Sequence, residues 1–593
     1  MKIARRFIYL LSIIAPLYCL KDLKATFYSG LDWNNQLWLI GYFGEFFRHH
    51  FTMPVVINTS NAIGVTIPIF YGTLLYPLIG VLASIVGASL ALRLACFMML
   101  TFQFYGIYSG GKSIFHNRFI SYVIAATSIW STYSLTNLYN RSAITEYFAT
   151  GLMMAAIGFI FAAINEGIPY RKTIFLWMAG FSIILFLGIH PPTAFIGGIY
   201  FSILTFLFLI NLINNNQIHF LGFKIPVIQV ALLIFCLAPW IYATLTIGPH
   251  LIQWNHPGVI QFFPDRSDSW IGRLYPFPYD KVSATKGITD ISTPYLETNV
   301  NFGYILLSIY LSLSAIINRY ALKSVPNKFI KKSLTWTIVI TLIWIIFITT
   351  LSVSRSLATH FLFLNQFVQF AYRFVSHINA ALLVFIFSLG LIINLSEKTK
   401  LNKKTFSLLA TACIVVASFS LYIKLKHASA VLKDEDSKEY MIGEDHTQLA
   451  KSAKLGLVHM YATSDNKIRL TEQESKNAVC LNFSVDTTGN SFGTVYKSHL
   501  NLTQANWVIT NVVNYPWSKI TINNKEVTQT RTSYDGTFIA ILVPQGDNVL
   551  EWQWIPNTTW SSLYQLSYVS LFALVTSTMI LLFILIRDKT IFF

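Results

Sequence analysis

Five polar side chains stand where chemistry at a membrane surface would need them. Asp32, in GLDWNNQLW (30–38), follows directly on the first hydrophobic stretch and is trailed by Trp33 and Trp38, residues that favour the headgroup zone. A carboxylate there marks a reaction site facing out of the membrane, or is simply a solvated loop charge. Arg141 and Glu146, in NLYNRSAITEYF (137–148), border an apolar run, and burying either charge alone would be costly. They form either a structural ion pair or part of a site. His190, in GIHPPTAF, ends another apolar run, where a capping or hydrogen-bonded histidine is the plainer reading. Arg373, in QFVQFAYRFVSHIN (366–379), sits among aromatic residues. It can snorkel to a lipid phosphate or clamp a phosphate in a site.

The elements that must position these groups are membrane helices. Of the 593 residues 54% are hydrophobic and 12% charged, and the mean hydropathy is +0.53, as in a multi-span membrane protein. The net charge of +17 lies mainly in short loops, where the positive-inside rule accounts for it, so no nucleic-acid partner is expected. Four of the five cysteines sit in apolar runs, and no disulfide framework or CxxC metal site is readable.

Loop charges set the topology. Phe7–Leu20 follows Lys2, Arg5 and Arg6 with no small-x-small cleavage site after it, which predicts an uncleaved first span. Further spans are expected at 90–109, 118–135, 147–164, 173–190, 194–212, 226–245, 303–319, 334–352, 376–394, 405–423 and 563–586. These make twelve crossings, with both termini cytoplasmic. Residues 69–88 are laid in the interface, because counting them as a crossing would invert every later loop. The spacing of Leu37, Ile40, Gly41, Gly44 and Phe47 predicts an amphipathic helix lying on the membrane. The Pro-, Gly- and aromatic-rich segment 54–78 is expected to turn back to the bilayer without a helix of its own.

This divides the chain into a transmembrane domain (1–423), an extracytoplasmic domain (424–561) and a final helix with a short tail (562–593). Within the first lie two outer loops, 21–89 and 246–302, and loops of such length are usually functional or disordered. In the second domain WVITNVVNY, KITINNKEVTQT, GTFIAILVP and NVLEWQWIP alternate apolar and polar residues around turn signals, a β-sandwich pattern. Its Trp507, Trp517, Trp552 and Trp554 form a sugar-stacking surface or, as tryptophans in a sandwich more often do, core.

The order LDWNNQLW (31–38), IPIFYGTLLYPL (67–78), GASLALRLA (87–95), NLYNRSAITEYFA (137–149), GIHPPTA (188–194) and QFAYRF (369–374) resembles the GT-C superfamily of membrane glycosyltransferases. It is most similar to the bacterial YfhO-like, or 6-pyruvoyl-tetrahydropterin-synthase-related, integral membrane proteins. The resemblance implies a GT-C-like helical polytopic fold and an enzyme of the plasma membrane with an extracytoplasmic active site. It would pass sugar from a polyprenyl-phosphate donor to a glycan or glycopolymer acceptor, with membrane lipid as its surroundings. It further implies Asp32 as general base, an inverting attack, and Arg141 and Arg373 as cations for the leaving phosphate. Glu146 would orient Arg141 or bind sugar hydroxyls, and His190 would hydrogen-bond the phosphate, with Asn35 and Tyr372 completing the binding set. Relatives often carry a histidine shortly after the acid, where this chain has Asn35 and Gln36, so that role does not transfer. The pterin name implies a soluble zinc site with clustered histidines, and the sequence has none. No cofactor is implied, and a divalent cation is left open. A transporter or flippase would show internal repeats and mid-membrane charges, neither of which is evident; a non-catalytic envelope-assembly protein would tolerate replacement of the acids.

Overall fold

The computed structural model describes residues 2–21, 33–58, 62–141, 143–214, 224–251, 299–317, 328–361, 371–395, 403–434, 462, 468–483 and 495–587. The helices used below are α1 (Lys2–Ile14), α2 (Trp33–His50), α3 (Ile67–Phe70), α4 (Leu75–Val86), α5 (Ala88–Phe115), α6 (Arg118–Ile129), α7 (Thr132–Leu135), α8 (Ile144–Ile164) and α9 (Pro169–Ile189). They continue with α10 (Pro191–Asn214), α11 (Lys224–Thr246), α12 (Phe302–Ile317), α13 (Lys328–Val353), α14 (Arg355–His360), α15 (Phe374–Leu395), α16 (Lys403–Asp434), α17 (Glu472–Asn477) and α18 (Thr558–Arg587). Among the described residues eight helices, α5, α8, α9, α11, α13, α15, α16 and α18, contain stretches long and apolar enough to cross a membrane. Of the other expected spans, 194–212 falls on α10 and 303–319 on the shorter α12, and two are divided. The first breaks into α1 and a 3-10 turn, Ala15–Lys21, and the third breaks at Trp130 between α6 and α7.

The helices differ in what surrounds them. α8 and α15 are buried along most of their length, whereas α11, α13 and α18 leave most of theirs uncovered by protein. Close approach of α5 to α8 depends on missing side chains. A Cβ added at Gly158 would overlap the Gly106 carbonyl, and one at Gly106 would lie 2.9 Å from the Ala155 carbonyl oxygen. Small residues at such crossings let two apolar backbones touch.

In the expected loop 21–89 the structure adds protein packing to one expected helix and corrects the reading of segment 54–78. The stretch read as an amphipathic helix on the membrane does form a helix, α2, but Gln36 to Ile40, Tyr42, Phe43, Gly44 and Phe46 are all buried in protein. The reason is α4, which packs on it so closely that a Cβ at Gly44 would lie 2.9 Å from the Ala83 Cβ. Arg48 ties the pair by donating to the Ser84 carbonyl from Nε (3.2 Å) and Nη2 (3.0 Å). Segment 54–78, expected to lack helix, contains the single turn α3 and the start of α4. Pro68 and Pro77 lie near the start of these helices, where a missing N–H costs nothing.

α16 continues to Asp434, so the composition change at 424 falls inside a helix. Beyond it the chain makes two four-stranded sheets. Strands β1 (Val479–Leu481), β3 (Asn506–Val513), β7 (Phe538–Val543) and β6 (Thr530–Thr532) form one, in the order β1-β3-β7-β6. Strands β2 (Val495–Leu502), β8 (Gly546–Trp554), β4 (Ser518–Ile522) and β5 (Lys525–Glu526) form the other, in the order β2-β8-β4-β5. The alternation read in the sequence has a direct counterpart in β8, where every second residue from Asn548 is buried. Asn523 and Asn524 turn β4 into β5 with φ of +49° and +65°, the left-handed pair a tight hairpin needs. Trp552 and Trp554 are core residues, Trp517 packs on Trp554 with centroids 5.6 Å apart, and Trp507 lies beneath the Arg531 guanidinium at 4.6 Å. The four do not make one open stacking surface.

If the α5–α8 contact is as close as these glycines indicate, Gly158→Ala should lower stability by about 3 kcal/mol. A clear drop in the apparent melting temperature in detergent is expected, and an unchanged melt would mean that the two helices are further apart.

Candidate functional site

The site is built on one acid at the start of one helix. Glu146 lies in the first turn of α8, where the helix dipole favours a negative charge, and it is fully buried. A buried carboxylate must be matched by donors or cations, and each oxygen has two such partners. Oε1 accepts from the Tyr133 hydroxyl (2.6 Å) and Asn137 Nδ2 (3.2 Å). Oε2 accepts from Arg141 Nη1 at 3.0 Å and forms an ion pair with Arg373, whose Nε lies 3.2 Å away without hydrogen-bond geometry.

The local fold explains how these partners converge. Tyr133, Asn137 and Arg141 are spaced four apart on α7 and the π-helical turn Thr136–Asn140. A π turn carries an extra residue, is rare, and often marks a functional position. It closes through Arg141 N to the Thr136 carbonyl (2.9 Å), and Ala143 N then returns to the Asn137 carbonyl (2.8 Å). Arg141 is thereby turned back onto the helix that follows it. Tyr372 and Arg373 come from a 3-10 turn, Ala371–Arg373, leading into α15. The Tyr372 ring lies against the Arg141 guanidinium, 4.8 Å from its centroid, a cation–π contact that holds the plane of the fork.

Arg141 is 4% exposed, and its hydrogen bonds all leave from Nη1, to Glu146, to Asn137 Oδ1 (2.5 Å) and to the Tyr133 hydroxyl (3.4 Å). Among the described residues nothing takes up Nε and Nη2. That edge is the geometry that receives a carboxylate or phosphate through two parallel bonds. His190 follows α9, and its Nδ1 caps the start of α10, 2.8 Å from Thr193 Oγ1 and accepting from Thr193 N–H (3.4 Å), which leaves Nε2 for another partner. Its imidazole is buried and interacts electrostatically with Glu146, Arg373 and Arg141. Tyr71 adds a ring edge-on to His190 (centroids 5.9 Å apart) and a hydroxyl bonded to Thr145 Oγ1.

The structure therefore brings together Arg141, Glu146, His190, Tyr372 and Arg373. Asp32 and the side chain of Asn35 lie outside the described residues, as do the acids of the long loop 246–302, Asp265, Asp268, Asp280, Asp290 and Glu297. Sequence reading missed Tyr133, Asn137, Tyr71 and His377, the last buried one turn after Arg373 and interacting electrostatically with Glu146. A signal existed for three of them. Tyr133 and Asn137 precede Arg141 at intervals of four, and His377 follows Arg373 at the same interval. Among the described residues no group of three or more His, Cys, Asp or Glu could hold a metal ion.

No protein-family model and no curated protein matches the chain. Among solved structures the chain is similar to the oligosaccharyltransferase of Archaeoglobus fulgidus in its apo form, with a TM-score of 0.38 and 15% identity. The match covers 73% of this chain and 56% of that one, so the chain spans little more than half the length of that protein.

The shared carboxylate gives a direct prediction. Glu146→Gln keeps the shape but leaves two guanidiniums facing a neutral amide, and breaking a buried pair in this way costs about 3–5 kcal/mol. The variant should lose much of its thermal stability in detergent. A melt equal to wild type would show that other groups carry the two charges.

Proposed function

We propose that this protein is a membrane glycosyltransferase of GT-C type. It takes a sugar from a polyprenyl-phosphate donor and passes it to a hydroxyl of an extracytoplasmic acceptor, such as a cell-envelope glycopolymer. The observation that carries the reading is the open Nε–Nη2 edge of Arg141, fixed by Glu146 on one side and Tyr372 on the other.

Transfer from a polyprenyl-phosphate sugar releases a phosphate monoester, which bears more negative charge than the diester it came from. Cations fixed in place before the reaction stabilise that developing charge without reorganising. Arg141 and Arg373 fill that role in this reading. Glu146, with protein donors on both oxygens, acts as a positioning residue for the two arginines rather than as an acid or base. Asp32 takes the proton from the acceptor hydroxyl while the acceptor oxygen bonds to the anomeric carbon with inversion. The bond from that carbon to the phosphate oxygen breaks, and its electron pair leaves with the phosphate. His190 offers Nε2 to a phosphate oxygen, and Asn35 and Tyr372 border the sugar.

The test is transfer by the purified chain in lipid, supplied with polyprenyl-phosphate hexoses and a candidate envelope acceptor. Wild type should transfer, and Asp32→Asn should fall by about 10²–10⁴-fold, the range that general base catalysis supplies. Undiminished transfer by Asp32→Asn would remove Asp32 from the mechanism. No transfer by folded wild type across several donors would favour a transporter or an assembly protein.

A further inference from the structure

Residues 57–58 and 62–74 link two regions that lie far apart in sequence, the C-terminal sheets and the cluster around Glu146. At the sheet end Ile57 and Val65 pair with each other through two backbone bonds of 2.9 Å. Ile63 then joins β3, its N–H donating to the Asn511 carbonyl (2.9 Å) and its carbonyl accepting from Val513 N–H (3.0 Å). Asn58 is fully buried there. Its Oδ1 accepts from Gly64 N–H (3.1 Å), and its Nδ2 donates to the Tyr496 hydroxyl of β2 (3.4 Å). Gly64 adopts φ +74°, and a Cβ at that position would lie 3.0 Å from the Trp552 indole, so glycine is needed both for the backbone and for the approach.

At the other end α3 leads directly into Tyr71, whose hydroxyl bonds Thr145 beside Glu146 and whose ring edges His190. Two residues on, Thr73 Oγ1 and Leu74 N–H both donate to the Gly188 carbonyl at 3.3 Å. That carbonyl belongs to the last turn of α9, two residues before His190. Between the two anchors Ala62 to Phe70 are all buried, so the segment runs through packed surroundings with no exposed slack.

We propose that Tyr71 and Thr73 are positioning residues, and that the C-terminal β domain, acting through residues 62–74, sets the places of Thr145 and His190. The domain is then a working part of the site and not merely a cover over it. This inference stands on backbone pairing and side-chain contacts, and it does not need the sugar-transfer reading to hold.

The test is hydrogen–deuterium exchange on the full chain in lipid nanodiscs, which reads coupling without any assay of activity. Ile63→Pro removes the N–H given to Asn511. Exchange should rise at 62–66 and in β3, and also by about tenfold at 143–147 and 186–190, the size of a modest coupling between sites. Residues 376–393 of α15 should not change. Because coupling is reciprocal, Tyr71→Phe, which keeps the ring against His190 but loses the hydroxyl, should speed exchange at 143–147 and at 62–66. Tyr534→Phe, at an exposed tyrosine of the β domain, serves as the control and should change neither. Faster exchange confined to 57–66 and β3 in Ile63→Pro, or an unchanged 62–66 in Tyr71→Phe, would overturn the proposal. Should Ile63→Pro fail to fold, the Tyr71→Phe result decides alone.

Discussion

One buried carboxylate balanced by two guanidiniums is the constraint from which the rest of the candidate site follows. Glu146 has no access to water, so its charge is tolerable only with its donors in place. Its partners come from two lengths of chain, 133–141 and the turn before α15. Tyr133 and Asn137 require α7 and the π turn to lie over the start of α8, and Arg373 requires α15 to begin there. Three stretches of backbone are therefore held in register at one point near the ends of apolar helices. The arginines gain from the same arrangement, since a guanidinium held by a carboxylate and an aromatic ring presents its remaining edge in a fixed direction.

That direction is what turns an ion pair into a candidate site. A plain structural pair would spend its donors on protein, as Arg48 does on Glu45 and the Ser84 carbonyl at the surface. Arg141 spends one nitrogen and keeps the Nε–Nη2 edge within a buried cluster that also contains His190 and Tyr372. The strand residues Asn511 to Val513 pair with Ile63, and eight residues further along the same segment Tyr71 bonds Thr145 beside Glu146.

Much of this was legible in the sequence, for physical reasons. Apolar runs of about twenty residues located the long helices, because a helix crossing a bilayer must be apolar along its length. The period of two in NVLEWQWIP located β8, and Asn-Asn located its neighbouring turn. Arg141, Glu146, His190 and Arg373 were legible because a charged or polar group at the end of an apolar span needs a reason to be there. The burial of α2 was not legible. Leu37, Ile40 and Phe47 have the same spacing whether their face meets lipid or protein, and both surroundings are equally apolar. What decided it was α4, seated against Gly44, and periodicity within α2 carries no trace of that. The π turn was likewise hidden, since the residues that make it have no distinctive pattern. The pairing of Ile63 with β3 joins residues nearly 450 positions apart, which no local signal records.

The central claim is that the open edge of Arg141 receives a phosphate at the membrane surface. It is tested most directly by binding of a polyprenyl monophosphate, without sugar or acceptor, to the chain in nanodiscs, comparing wild type with Arg141→Lys. Lysine can still pair with Glu146 but lacks the planar fork. The account predicts binding by wild type and at least about tenfold weaker binding by the folded variant, as loss of a bidentate charged contact implies. Equal affinity in the two proteins would contradict it.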